Sequence, residues 1–261
     1  MCRSTRRAPP LPRRSFDGSV LTGQSYIDIR TVRETGSTNA DLLILAADGA
    51  CEGIWLRAER QQGGRGRLGR PWHGEEGNLY TSTLVRLHPE DPPAPSLALL
   101  AAIAVHDALS AVAPETVFRI KWPNDIMVGS AKISGMLLER AGEAVVVGIG
   151  INVTHHPVLA DRDTTCLHAL GRAEVSAQLL IELVAARFAD YLQLWRSGGV
   201  AVMRSLWLAR AHAPGTMLRA SLPDGNRVDG TFETLDSEGS LIMRLANGQR
   251  KVIHAGDIFL L

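Results

Sequence analysis

Four glycines and three arginines fall within Gly63–Arg70, at the centre of the run Gln61-Gln62-Gly63-Gly64-Arg65-Gly66-Arg67-Leu68-Gly69-Arg70-Pro71-Trp72. Glycine lets backbone N–H groups approach an anion closely, and arginine offers a planar fork that matches carboxylate or phosphate. The chemistry suggested is a flexible anion clamp that orders over a ligand. A solvated basic loop or an RGG-type nucleic-acid contact has the same composition, so the run by itself leaves all three readings open.

A second run, Lys121-Trp122-Pro123-Asn124-Asp125, is followed by Lys132 and Gly135. Of 28 basic residues only Lys121, Lys132 and Lys251 are lysine, and two of them flank this segment. An ammonium is a compact point charge that arginine does not reproduce among phosphates. Pro123 drives Trp122 out of helical conformation, so a strand must break there and expose Lys121, Asn124 and Asp125 at a sheet end. Ammonium, amide and carboxylate together suit a nucleotide triphosphate and its metal. An ordinary Pro-Asn-Asp turn is the plainer alternative. Gly36-Ser37-Thr38-Asn39 places hydroxyls and an amide at a helix start, as a polar-ligand contact or as simple capping. Gly148-Ile149-Gly150-Ile151-Asn152-Val153 is an apolar strand whose glycines leave room for a ring or for a close strand crossing.

The elements that must position these residues follow from hydrophobic periodicity. Strands are expected at 26–32, 54–58, 79–87, 117–120, 126–128, 134–139 and 144–153. Helices are expected at 39–47, with Thr38 and Asp41 in capping-box relation, then at 95–112, 174–195 and 200–211. After Pro214, short strands at 217–222, 227–235, 241–245 and 249–254 alternate with turn signals and suggest a small barrel. The expected division is a basic tail over 1–25, a ligand-binding domain over 26–213 and a small β-domain over 214–261.

Composition narrows the rest. The formal charge is +1, so no global field recruits nucleic acid or anionic membrane. No run approaches about 18 apolar residues without a charge, which argues against a membrane span. Three cysteines without a CxxC pair argue for a reducing, cytoplasmic setting and against a disulfide framework or structural zinc. Walker A, GxGxxG, GxSxG and HExxH patterns are absent from the sequence.

Taken in order, GSTN at 36–39, QQGGRGRLGRPW at 61–72, KWPNDI at 121–126 with Lys132 and Gly135, GIGINV at 148–153 and TTCLHAL at 164–170 resemble biotin–protein ligases. The likeness runs from about residue 30 to the end. It implies an α/β (α+β) core similar to class II tRNA synthetases and lipoate ligases, with a mixed sheet and an SH3-like C-terminal barrel. It implies biotin and MgATP as substrates, a biotinyl-5′-adenylate intermediate with release of pyrophosphate, and transfer to a lysine on a biotin carboxyl carrier domain. By motif, Ser37, Thr38 and Asn39 would contact biotin, the serine and asparagine toward its ureido ring. Gln61 and Arg65-Gly66-Arg67 would line the biotin and adenylate site. Lys132 would bridge the biotin carboxylate and the α-phosphate. Trp72, Asn124 and Asn152 would border the nucleotide, and Arg70 the phosphates.

The chemistry agrees with these residues independently. A carboxylate attacking a phosphate brings two anions together, and Arg67 and Lys132 are suited to neutralise them. Asp125 would hold Mg²⁺ or orient the incoming amine. Some members of that family carry an N-terminal DNA-binding domain. Only about 25 residues precede the first expected strand, so no specific DNA binding is expected, and homodimer formation stays open. Two rival readings are a lipoate- or octanoate-transferring enzyme on the same core and an RNA-binding module.

Overall fold

The computed structural model describes residues 27–261, so the expected basic tail lies outside the described residues. Seven strands form a mixed sheet in the order β1-β2-β3-β7-β6-β5-β4. They are β1 (Asp28–Thr35), β2 (Ile54–Gln61), β3 (Leu79–Arg86), β4 (Phe118–Lys121), β5 (Asp125–Val128), β6 (Ala131–Ala141) and β7 (Ala144–Ile151). Only β1 and β2 run parallel; the other neighbours are antiparallel.

Strand alternation divides the side chains between two layers. On one face Trp55, Val85, Val145, Val147 and Ile149 pack against helices α2 (Leu97–Val112) and α3 (Ala177–Leu208). On the other, Ile54, Leu56, Leu84, Ala144 and Val146 pack under the shorter α1 (Thr38–Ala47). Burial of α2 explains its composition. The segment Ala94–Val112 is apolar enough to cross a membrane by length and hydropathy, yet it lies against the sheet as the main core helix.

Several expectations change in detail. The N-cap of α1 is Ser37, which accepts from the Ala40 N–H, and Asp41 instead accepts from the Thr35 hydroxyl at 2.6 Å. The expected capping box is therefore replaced by a link from helix to preceding strand. The two expected C-terminal helices form one long element broken at Gly199, whose φ of 70° only glycine adopts freely. The β-region contains five antiparallel strands rather than four: β8 (Met217–Ser221), β9 (Arg227–Leu235), β10 (Leu241–Arg244), β11 (Arg250–Ile253) and β12 (Asp257–Leu260), in the order β11-β10-β9-β8-β12. The strands expected from the sequence stop at residue 254 and so omit β12.

One half-buried cluster fixes the sheet edge from which Lys121 emerges. Asp107 on α2 accepts from Arg210 Nε at 2.6 Å and from the Tyr191 hydroxyl at 2.6 Å, and it also pairs with His106. The backbone carbonyl of Arg210 in turn accepts the Ile120 N–H at 2.9 Å, covering the outer edge of β4. Burial tends to raise the Asp107 carboxyl, but hydrogen bonds from His106, Arg210 and Tyr191 outweigh it and hold the group below the usual carboxylate range. A carboxyl depressed in the native state contributes stability above its unfolded pKa, near 4, and loses it as pH falls through the folded value. Asp107→Asn should therefore lower stability by about 2 kcal/mol at pH 7. The gap from wild type should narrow below about pH 4 in thermal melts followed by circular dichroism. A gap independent of pH would show that the charge is not what stabilises this edge.

Candidate active site

A cavity of ≈ 330 Å³ opens on the α1 face of the sheet. It exists because side chains vanish there. Along β7 the residues on this face run Ala144, Val146, Gly148, Gly150, so the strand is covered at one end and bare at the other. Neighbouring groups use the space. A methyl group at Gly148 would lie 2.2 Å from Asn39 Oδ1, and one at Gly150 would lie 2.4 Å from the Trp72 ring. The ring anticipated over these glycines is thus the protein's own Trp72. Its indole N–H is buried and has no hydrogen-bond partner among the described residues.

Every residue given a binding or catalytic role from the sequence borders this cavity. The inner wall is polar and uncharged. Ser37, Thr38 and Asn39 are buried at the start of α1, beside Gln61 at the end of β2. Gln61 Oε1 accepts the Thr38 N–H at 2.9 Å, and Thr38 Oγ1 lies 2.7 Å from Ser82 Oγ. Ser82 is fully buried on β3 and donates to Asn39 Oδ1 at 2.6 Å.

The opposite wall is charged. Asp125 sits between two ammonium groups, with Lys132 Nζ 2.5 Å from one oxygen and Lys121 Nζ 3.1 Å from the other. Burial pushes the Asp125 carboxyl up, but attraction to Lys132 and Lys121 prevails and brings it down to about 2. A bulge places Lys132 here. The β5–β6 register shifts between Ile126 and Met127, which turns Ile133 into the core and Lys132 toward the cavity. The Lys132 backbone is then clamped from outside: its N–H donates to Asp163 O at 2.9 Å and its carbonyl accepts the Thr165 N–H at 3.0 Å. Asn152 is tied to the same segment through Thr165 O at 3.0 Å, and Asn124 donates to Met136 O.

The glycine-arginine run closes the cavity as a small hairpin. Gly66 N–H donates to Arg70 O at 2.8 Å, Trp72 N–H donates to Gly64 O at 2.9 Å, and Leu68 turns the corner at φ 57°. Its three arginines reach three places. Arg65 pairs with Glu139 at 2.9 Å, Arg67 donates to the Gly256 carbonyl at 3.2 Å, and Arg70 pairs with Asp257. The small β-domain therefore supplies part of the site. Sequence reasoning missed Ser82, Glu139 and Asp257. Ser82 lies between two threonines on β3, Glu139 precedes Arg140 on β6, and Asp257 pairs with a residue 187 positions away, so no local pattern marks them.

Asp125 does not suit the magnesium-ligand role expected of it. Both its oxygens already carry a lysine ammonium, and among the described residues no group of three or more His, Cys, Asp or Glu side chains is placed to hold a metal ion. What the walls offer is a neutral hydrogen-bonding slot that leads to a cluster of cations.

Comparison with known proteins bears on this geometry. Residues 51–154 match the Biotin/lipoate A/B protein ligase family, and residues 219–261 match the Biotin protein ligase C terminal domain. The chain is 36% identical to the biotin–[acetyl-CoA-carboxylase] ligase of Mycobacterium tuberculosis, covering 97% of each sequence. It is 35% identical to the ligase of the same name from Paracoccus denitrificans, over 86% of this chain and 97% of that one. Among solved structures, the biotin protein ligase of Aquifex aeolicus in complex with biotin and ATP aligns with a TM-score of 0.77, at 26% identity over 90% of this chain and 98% of that one. An alignable length that spans almost the whole of these ligases, at more than a third identity to two of them, makes this chain a member of the biotin–protein ligase family.

Proposed function

We propose that the protein joins biotin to a lysine of a carboxylase carrier domain, using ATP and passing through biotinyl-5′-AMP. The observation that carries this is the cavity itself, where a neutral slot shaped by Ser37, Thr38, Asn39 and Gln61 ends at Lys132, Arg67 and Arg70. A ureido ring suits the first part, and a carboxylate meeting a triphosphate suits the second. A division into a catalytic region over 26–213 and a small β-domain over 214–261 belongs to the same proposal, as do the residue roles.

In the first half-reaction a biotin carboxylate oxygen attacks the α-phosphorus of ATP, and the bond to the β-phosphate oxygen breaks to release pyrophosphate. Lys132 and Arg67 offset the repulsion between the two anions, and Arg70 exchanges Asp257 for phosphate oxygens. Ser37, whose oxygen accepts from Ala40, keeps its hydroxyl proton to donate to the ureido carbonyl. Trp72 covers the reacting groups, with its unpartnered N–H turned to a ligand acceptor. No protein nucleophile is required. In the second half-reaction the neutral carrier amine attacks the acyl carbon, AMP leaves, and a proton is lost. Asp125, kept in its carboxylate form by Lys132 and Lys121, acts by charge, holding Lys132 in place and orienting the amine. Among the described residues no group of three or more His, Cys, Asp or Glu side chains is placed to hold a metal ion, so no residue is assigned to magnesium.

Lys132→Gln should keep the fold and lose about 2–4 kcal/mol of transition-state stabilisation, comparable to losing one oxyanion donor. Biotin-dependent exchange of labelled pyrophosphate into ATP measures this, and undiminished exchange overturns the role of Lys132. Exchange supported by lipoate in preference to biotin would overturn the substrate assignment.

Gly150→Ala should displace the Trp72 ring and raise the KM for biotin or ATP roughly tenfold, in line with about 1–3 kcal/mol for overfilling a packed site. Unaltered steady-state constants would show that Trp72 does not border the ligands.

Arg67→Gly should still form adenylate but release it faster, because the loop loses its anchor on the ligand. Freed adenylate acylates neutral amines, so bystander albumin should become biotinylated, increasingly so at higher pH as more amine is deprotonated. Streptavidin blotting of a mixture with albumin, biotin and ATP reads this out. Labelling confined to the carrier domain, with adenylate shown to form, removes the retention role.

A further inference from the structure

We infer that Glu139 is a positioning residue that decides which hydrogen-bonding pattern the inner wall presents to the acyl substrate. This rests on the biotin-ligase reading and deepens it. Glu139 lies on β6, outside the motifs that marked the site.

Polar groups form a chain in which buried Asn39, Ser82 and Thr38 lie between half-buried Glu139 and Gln61. Asn39 Nδ2 lies 2.7 Å from Glu139 Oε2 and 3.3 Å from the Leu137 carbonyl. A carboxylate and a carbonyl only accept, so the atom facing them must be the amide NH₂. The Asn39 oxygen is therefore turned to Ser82, which must donate to it at 2.6 Å. With its single proton spent there, Ser82 accepts from the Thr38 hydroxyl at 2.7 Å. Gln61 Oε1 is then served by the Thr38 N–H at 2.9 Å.

The same distances permit the reverse polarity. With the Asn39 amide turned over, its NH₂ would donate to Ser82, Ser82 to Thr38, and Thr38 to Gln61 Oε1 at 3.1 Å. That arrangement would put the Asn39 oxygen against the Glu139 carboxylate, which repels it. The Leu137 carbonyl at 3.3 Å favours the same direction, but the charged oxygen of Glu139 at 2.7 Å is the stronger acceptor and decides it for the whole chain. Arg65 occupies its other oxygen at 2.9 Å and keeps it seated.

The consequence reaches the ligand. In the selected polarity the Asn39 oxygen, over Gly148, retains a lone pair after Ser82 and accepts from a ligand N–H. Reversed, the same place offers an N–H and rejects one. A cyclic urea, with an N–H on each side of its carbonyl, is accepted only in the first case. Sites whose buried polar groups are left unpaired by a wrong ligand discriminate strongly.

Glu139→Gln tests this, because a glutamine amide can donate to Asn39 and release the polarity. The probes are biotin and its two cyclic carbamate isosteres, each with one ring N–H replaced by oxygen, assayed by adenylate formation with the full chain. Wild type should prefer biotin over one isostere by roughly a hundredfold, and Glu139→Gln should narrow that ratio about tenfold. The KM for ATP should stay within about twofold, since the hydrogen-bond chain lies away from the phosphate cations. Glu139→Asp, which only accepts, should preserve the wild-type ratio even if turnover falls. Should Glu139→Gln not turn over, calorimetric binding of the three ligands gives the same ratio. A ratio unchanged in Glu139→Gln, or equally narrowed in Glu139→Asp, overturns the inference. Wild type that forms no adenylate from biotin would instead overturn the ligase reading beneath it.

Discussion

Two buried ammonium groups share one carboxylate, and most of the site is arranged around that imbalance. Lys121 and Lys132 bring two positive charges and Asp125 returns one negative, so the charged wall keeps a net cation beside the cavity. A one-to-one pair would be neutral and would attract no anion, whereas two ammonium groups on one carboxylate leave a positive charge over. The cost is exact placement, supplied by the bulge at Ile133, the 163–165 segment on the Lys132 backbone, and the α2–α3 cluster that holds the edge of β4.

The cavity depends on a second constraint, the omission of side chains. Between α1 and the sheet, the valine and leucine side chains that seal one end give way to glycine at the other. The space freed is taken by functional groups, Asn39 against Gly148 and Trp72 against Gly150. A glycine in a strand normally weakens it through lost packing and greater chain entropy. Here β7 is a central strand, paired on both sides over its length, and tolerates the loss.

The small β-domain is part of the same machine. Its Gly256 carbonyl and Asp257 carboxylate receive two loop arginines, and Trp122, from the lysine segment, donates to the Gly239 carbonyl at 3.0 Å. The loop that covers the ligand and the turn that carries Lys121 are thus braced against one body.

The sequence by itself determined the order and type of nearly every element, because alternation and helical periodicity are local signals read over a few residues. It also marked the glycine-arginine run, the lysine segment and the GSTN helix start, since their unusual residue types lie close together along the chain. Tertiary structure decided the partners. That Asp125 serves two lysines rather than a metal, that Ser82 and Glu139 orient Asn39, and that Asp257 meets Arg70 all depend on groups from separate strands or separate domains. Such contacts leave no trace in local composition. A serine among threonines or a glutamate beside an arginine looks like an ordinary strand position until folding sets it against the group it serves.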